Sequence, residues 1–431
     1  MKQAISKESN FSIFRILWLG GFINAIGTGL TTFALTVHIY QTTESTSLTS
    51  LIAIIGLLPR IIVSPYAGAL VDKFDRRLIL MLGDGLSGLG LILVYMGLTT
   101  SSQEGSLIYI LVGLFISAIF ASLTMPAIKV SISDILGEED YAKAASMLQI
   151  NDSVGYLVAP ILAGFLLQFI KIDHIILIDA STIFVTLICS YYVKKHVHTH
   201  TPSDQDEDSS WQYLKAGWMY LKGQAHISLL IIYLSLLTFF LAFIQILITP
   251  ILLSLTDSLG YGWSMSIAAS GMLIFGIYTS VQPIKGNFIK ILGLALAVTS
   301  LMMMGIGLVN NLYIITVMAF ILFGSLVYAN TTLDYLFRKN VPSHYLGRTL
   351  GWASNISQLG YLLAYVIAGL LADYIFDPLL QEGGLLSGSL GFIFGIGDHR
   401  GTGLLVFLAG ACLLLSVYLF YKNPQIKQLK E

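Results

Sequence analysis

Long apolar runs separated by short polar connections dominate the chain. Twelve of them reach roughly 20 residues, the length that a helix with all its backbone hydrogen bonds internal needs to cross a bilayer. They fall near residues 12–40, 47–71, 78–99, 106–136, 142–169, 174–194, 226–254, 262–284, 287–309, 312–337, 346–374 and 402–421. The first run lacks a short apolar core followed by a small-residue cleavage site, so it is expected to remain as a span. The pattern predicts an all-α integral membrane protein with twelve transmembrane helices.

Composition leads to the same class. Hydrophobic residues make up 55% of the 431 and charged residues 11%, against about 25% charged in soluble domains. A net charge of −1 gives no electrostatic case for nucleic acid as a partner. Cys189 and Cys412 each lie inside an apolar run and read as small buried hydrophobes.

Lysine and arginine set the orientation, because they are retained on the cytoplasmic side. With twelve spans the two termini share a face, and that face receives 20 Lys and Arg, among them Lys2, Lys73, Arg76, Arg77, Lys194, Arg348 and Lys430. The opposite face keeps Lys171 and Arg400. Both termini are therefore expected to be cytoplasmic, in the plasma membrane.

The chain also repeats. At a shift of 205 residues, Gly155, Tyr156, Leu157, Ala159, Ala163, Gly164 and Leu166 fall on Gly360, Tyr361, Leu362, Ala364, Ala368, Gly369 and Leu371. A shift of six spans preserves direction, so the expected architecture is two parallel six-helix bundles, 1–194 and 226–431, around a cytoplasmic linker at 195–225. In that linker His196, His198 and His200 precede Asp204, Asp206, Glu207 and Asp208; the spacing admits a metal, but the composition is that of a solvated linker. Trp211, Leu214, Trp218 and Leu221 then recur at helical spacing beside Lys215 and Lys222, as in an amphipathic helix on a membrane surface.

Two motifs carry a family resemblance. Gly68, Leu70, Asp72, Lys73, Arg76 and Arg77 resemble the loop between spans two and three of the major facilitator superfamily, with Asp75 where the common pattern has Gly. Gly155, Ala159, Pro160, Ala163 and Gly164 are similar to the antiporter motif of that superfamily's exporters, with Ala at two Gly positions. The segments 126–147, 341–351 and 377–403 resemble its macrolide-efflux and siderophore-exporter branch. The resemblance implies the major facilitator fold, with Asp72 at the inner end of span two latching onto the start of span eleven and Arg76 or Arg77 reaching Asp134. It also implies that spans one, four, seven and ten surround the substrate cavity.

Polar residues inside the spans supply the remaining candidates. Asn24, Thr28 and Thr31 form one helical stripe on span one, and Gln245, Asn355 and Gln358 are comparable on spans seven and eleven; each is a substrate contact or interhelical glue. Arg60, Asp152 and Asp179 are ionisable groups deep in spans, presumed functional because each costs several kcal/mol to bury, by order of magnitude. Either Arg60 and Asp152 neutralise each other, or Asp152 or Asp179 takes up a proton.

The chain carries no phosphate-binding loop, zinc-protease helix or nucleophile elbow, so no enzyme, metal or cofactor is expected. The expected protein is a monomeric, lipid-embedded secondary transporter, in which protons drive the efflux of a small amphipathic molecule, macrolide-like or a secreted metabolite. The alternatives are a proton- or sodium-coupled nutrient importer and a non-transporting sensor or partner protein.

Overall fold

A computed structural model describes residues 10–100, 103–196, 218–219, 221–282, 284–424 and 426. Among the described residues there is no strand. The long helices of the first part are α1 (Phe11–Thr43), α2 (Thr46–Lys73), α3 (Arg76–Thr99), α4 (Gln103–Ile135), α5 (Tyr141–Leu157), α6 (Ala159–Leu166) and α7 (Ile172–His196). Those that follow are α8 (Ala225–Leu253), α9 (Ser258–Val281), α10 (Phe288–Leu308), α11 (Leu312–Asn340) and α12 (Ser343–Leu371). Two single turns, α13 (Asp377–Leu380) and α14 (Gly391–Phe394), precede the last helix, α15 (Arg400–Lys422).

Short polar residues start these helices by accepting otherwise unpaired amides. Asp257 accepts from Gly260 N at α9, Asn287 from Lys290 N at α10, and Asn311 from Tyr313 N and Ile314 N at α11. Among the described residues, eleven helices are long and apolar enough to cross a membrane. The fifth expected span is absent from that set because it divides into α5 and α6 at Val158. Pro160, in the first turn of α6, has no N–H to offer the preceding turn, which is why the break falls there. Counting α5 and α6 as one span interrupted at Val158 restores twelve.

The chain forms two compact units, one comprising Met1–His38 and Ile52–Asp204, the other Ile39–Leu51 and Gln205–Glu431. In the first, α3 and α4 cross with their backbones nearly touching. A Cβ at Gly90 would strike Gly113 O, and one at Gly113 would lie 2.5 Å from Gly90 O. Apolar helices without a solvent-driven force between them associate through such close packing. Phe14, Leu80, Ala127, Leu136 and Ala144 then bury one end of α1 against α3, α4 and α5.

In the second unit Gly307 of α10 and Gly403 of α15 make the equivalent close approach. The glycine-rich segment after α12 is built on Leu380, Phe394 and Leu404. The α1–α2 connection turns at Glu44, whose φ is 50°. Its flanking residues 39–51 group with the second unit, although the bodies of α1 and α2 belong to the first.

Candidate functional site

In the first unit the sequence candidates on α1 separate. Thr31 is 4% exposed and its Oγ1 donates to Asp179 Oδ2 at 2.6 Å, whereas Thr28 is exposed and Asn24 half-buried. Thr31 thus leaves the stripe expected to line a cavity and joins a buried carboxylate on α7. The reason is Gly27: a Cβ there would lie 2.5 Å from Asp179 Oδ1 and 2.6 Å from Thr182 Oγ1, so a hydrogen in that place lets α1 close onto α7. Thr182 Oγ1 sits 3.5 Å from Asp179 Oδ1 and donates to the Asp179 carbonyl at 2.7 Å. Asp179 itself is 2% exposed. Among the described residues it is held by hydroxyls and by no cation.

Sequence reasoning overlooked a second such group, Asp84 on α3, although it lies inside the third apolar run. Asp84 is buried and accepts from Thr124 Oγ1 of α4 at 3.1 Å. It therefore joins α3 to α4. Arg60, by contrast, is exposed on α2. Asp152 belongs to α5, but its side chain lies outside the described residues, as do those of Gly68, Asp72, Lys73 and Arg76. Of the linker residues singled out above, His198, His200, Asp204, Asp206, Glu207, Asp208, Trp211, Leu214 and Lys215 also lie outside them.

Within the charged loop the departure from the common motif has a structural reason. Asp75 has φ −59°, a value open to any residue, and its carboxylate caps α3 by accepting from Arg77 N at 3.0 Å. The Arg77 guanidinium adds an ion pair to the same carboxylate at 3.0 Å and donates to the Lys194 carbonyl at 2.9 Å, tying the loop to the end of α7. Asp134, expected to meet Arg76 or Arg77, is half-buried near the end of α4.

Burial alone would raise the Asp75 carboxyl, but the hydrogen bonds and charge of Arg77 outweigh it and hold the group below the ordinary carboxylate range. Because the folded value is depressed, the cap contributes fully above the ordinary carboxylate range and is lost only as pH falls through the lower, folded value. We expect Asp75→Ala to destabilise the first unit by about 0.5–2 kcal/mol at neutral pH, as for other lost caps. Thermal unfolding of the purified protein checks this, and the difference from wild type should shrink in acid.

The antiporter-like motif forms a small-residue crossing with α1. Ala159, Pro160, Ala163 and Gly164 are buried. A Cβ on Gly29 would meet Ala159 Cβ at 2.5 Å and the Gly155 carbonyl at 3.1 Å. In the second unit Gly360, the repeat partner of Gly155, packs in the same manner: a Cβ there would meet Ser235 Oγ of α8 at 3.1 Å. Gln245 on α8 is exposed, and its Oε1 accepts from Tyr365 OH of α12 at 2.5 Å. Gln358 donates to Ser354 at 3.3 Å, and Asn355 is half-buried beside it. Trp218 packs on Trp352 of α12 with ring centroids 5.0 Å apart.

A family model described as the Major Facilitator Superfamily matches residues 17–365. The chain belongs to this superfamily. Across 399 residues it is 25% identical to macrolide efflux protein A of Streptococcus pyogenes, covering 86% of this chain and 92% of that one. It is 26% identical over 365 residues to the enterobactin exporter EntS of Citrobacter koseri, covering 80% and 82%. Among solved structures it resembles an inward-facing bacterial homologue of the human lysosomal transporter Spinster, with a TM-score of 0.70, 16% identity and coverage of 96% and 97%. A bacterial homologue of the iron transporter ferroportin aligns with a TM-score of 0.69 and 14% identity over 96% and 99%. These last two likenesses concern the fold. The protein is a multi-pass membrane transporter, and its sequence relatives include exporters.

Proposed function

We propose that this transporter exports a small amphipathic molecule across the plasma membrane by alternating access, with protons as the coupling ion and both termini cytoplasmic. The similarity over most of the chain to a macrolide efflux protein and an enterobactin exporter supports export as the direction of transport. The observation that carries proton coupling is Asp179, a carboxylate enclosed between α1 and α7 with hydroxyls as its partners. A buried ionisable group without a counter-cation is the ordinary mark of a proton site in transporters.

Asp179 is the first choice for the proton carrier and Asp152 the second, with Arg60 as the cation nearest in kind. Gln245, Asn355, Gln358, Asn24 and Thr28 are the proposed substrate contacts, and Asp72 with Lys73, Arg76 and Arg77 the inner latch. Gly155 and Pro160, either side of the break in the fifth span, are the proposed pivot.

Accumulation of erythromycin and of ethidium in a pump-deficient bacterial host tests the reading. Expression should lower the retained amount of at least one compound severalfold, and an ionophore that collapses the proton gradient should abolish the difference. Substrate uptake driven by inward sodium and indifferent to protons would overturn it.

A further inference from the structure

We propose that Asp84 binds a proton during transport and that the buried hydroxyls of α7 connect it with Asp179, forming one path inside the first unit that rests on the proton reading of Asp179 given above. Both carboxylates are buried. Each accepts from a hydroxyl of a neighbouring helix, Asp84 from Thr124 Oγ1 at 3.1 Å and Asp179 from Thr31 Oγ1 at 2.6 Å. Among the described residues no ion pair reaches either of them.

Helix α7 supplies the connection. Asp179, Thr182, Thr186 and Ser190 recur at spacings of three and four residues, which puts them on one side of the helix, and all four are buried. Thr182 Oγ1 lies 3.5 Å from Asp179 Oδ1. Helix α1 meets this stripe with glycines: Gly27 faces Asp179 and Thr182, and a Cβ at Gly20 would lie 3.5 Å from Thr186 Cα. At those two positions α1 places no side chain over the hydroxyls.

The register of α3 against α7 brings Asp84 to the other end of the stripe. Arg77, at the start of α3, donates to the Lys194 carbonyl near the end of α7 at 2.9 Å, so α3 begins where α7 finishes. Asp84 is seven residues after Arg77 and Thr186 eight before Lys194; at a rise of about 1.5 Å per residue both lie about 10–12 Å from that contact. The flanking glycines agree with this level, since a Cβ at Gly85 would lie 3.6 Å from Leu187 Cδ2 and one at Gly88 3.4 Å from Ile183 Cδ1. Asp179 stands about 10 Å further along α7. The two carboxylates thus occupy different depths, and the hydroxyls of Thr182 and Thr186 span the interval.

A carboxylate that only tied α3 to α4 would be an expensive choice. An amide would accept from Thr124 equally well, whereas an ionisable group inside a span costs roughly several kcal/mol and is kept where its charge is used. Transfer along the stripe makes and breaks O–H bonds alone. The carboxyl at one end gives its proton to a water between the rungs, each threonine hydroxyl accepts one proton and releases its own, and the carboxylate at the other end becomes the acid. Atoms and charge balance, and the hydroxyls finish as they began. Thr182 and Thr186 are about 6 Å apart along the axis, a gap that one bridging water spans.

Infrared spectroscopy of the purified full chain in lipid, following the carbonyl bands of protonated carboxyls through a pH titration, tests Asp84 without any substrate. Asp84→Asn should remove one band and Asp179→Asn another; if Asp84→Asn does not fold, Asp84→Glu should shift the band. A spectrum unchanged by the Asp84 variants would overturn the proposal. Gradient-driven export of ethidium from proteoliposomes, or of erythromycin where ethidium is not carried, tests the path. Thr182→Val and Thr186→Val keep the side-chain shape but lose the hydroxyl, and each should slow export severalfold. Thr182→Ser and Thr186→Ser keep the hydroxyl but lose a methyl, and each should retain most of the rate. Threonines that serve packing alone give the reverse order, which would overturn the path. If Asp179→Asn changes neither spectrum nor export while Asp84→Asn loses its band, the reading of Asp179 falls together with the path, and Asp84 stands as a proton site.

Discussion

Asp179→Asn is expected to leave the transporter folded and membrane-inserted while reducing gradient-driven export to background. The amide oxygen still accepts from Thr31 Oγ1, which lies 2.6 Å from the native carboxylate, so the α1–α7 junction keeps its hydrogen bond. What the amide loses is the proton that a carboxyl takes up and releases. Asparagine imitates the protonated acid, so downhill exchange of substrate should persist when uphill export is gone. Proteoliposomes with an imposed pH gradient, compared with substrate exchange at zero gradient, separate the two activities. Full uphill export by this variant would transfer the proton to Asp152, for which Asp152→Asn is the next test.

The architecture was legible because membrane helices announce themselves by length and apolarity, and because Pro160 marks where the fifth of them is interrupted. The placement of Asp75 was legible only as a departure from a motif. Its compensating role as the cap of α3 required the backbone angle and the Arg77 contact. On α1 the polar stripe Asn24, Thr28 and Thr31 was correctly read as one helical face, yet the face is divided between an exposed Thr28 and a buried Thr31. Helical periodicity reports which residues share a side of a helix. It does not report how close the neighbouring helix comes.

Asp84 and Asp373 escaped for related reasons. Asp84 stands between Gly83 and Gly85 near the start of the third run, where a carboxylate reads as an end group; the Thr124 hydroxyl that makes it a buried junction comes from another helix. Asp373 reads as a residue at the end of a span, and its partners are the backbone amides of Thr46 and Ser47, which a sequence does not distinguish from any others. Side chains whose role is to satisfy distant main-chain groups are invisible until the fold brings the two together.

Gly27 is the position at which the candidate proton site is most sensitive to volume. A Cβ there meets Asp179 Oδ1 at 2.5 Å and Thr182 Oγ1 at 2.6 Å, well inside ordinary contact, and both neighbours are buried among packed helices. Gly27→Ala should therefore cost about 1–3 kcal/mol by overpacking and push α1 away from α7, lengthening the Thr31 to Asp179 hydrogen bond. Gly27→Leu should prevent stable folding of the first unit. Thermal unfolding in detergent, read beside gradient-driven export, gives both effects for the alanine variant. Thr182→Ala removes one of the two clashing oxygens, so the double variant Gly27→Ala with Thr182→Ala should recover part of the loss. Residues in contact couple by about 0.5–3 kcal/mol, whereas independent sites add. Strict additivity of the two changes, or an alanine variant as stable and as active as wild type, would mean that α1 and α7 have room at Gly27 and that Asp179 is not held in a close-fitted site.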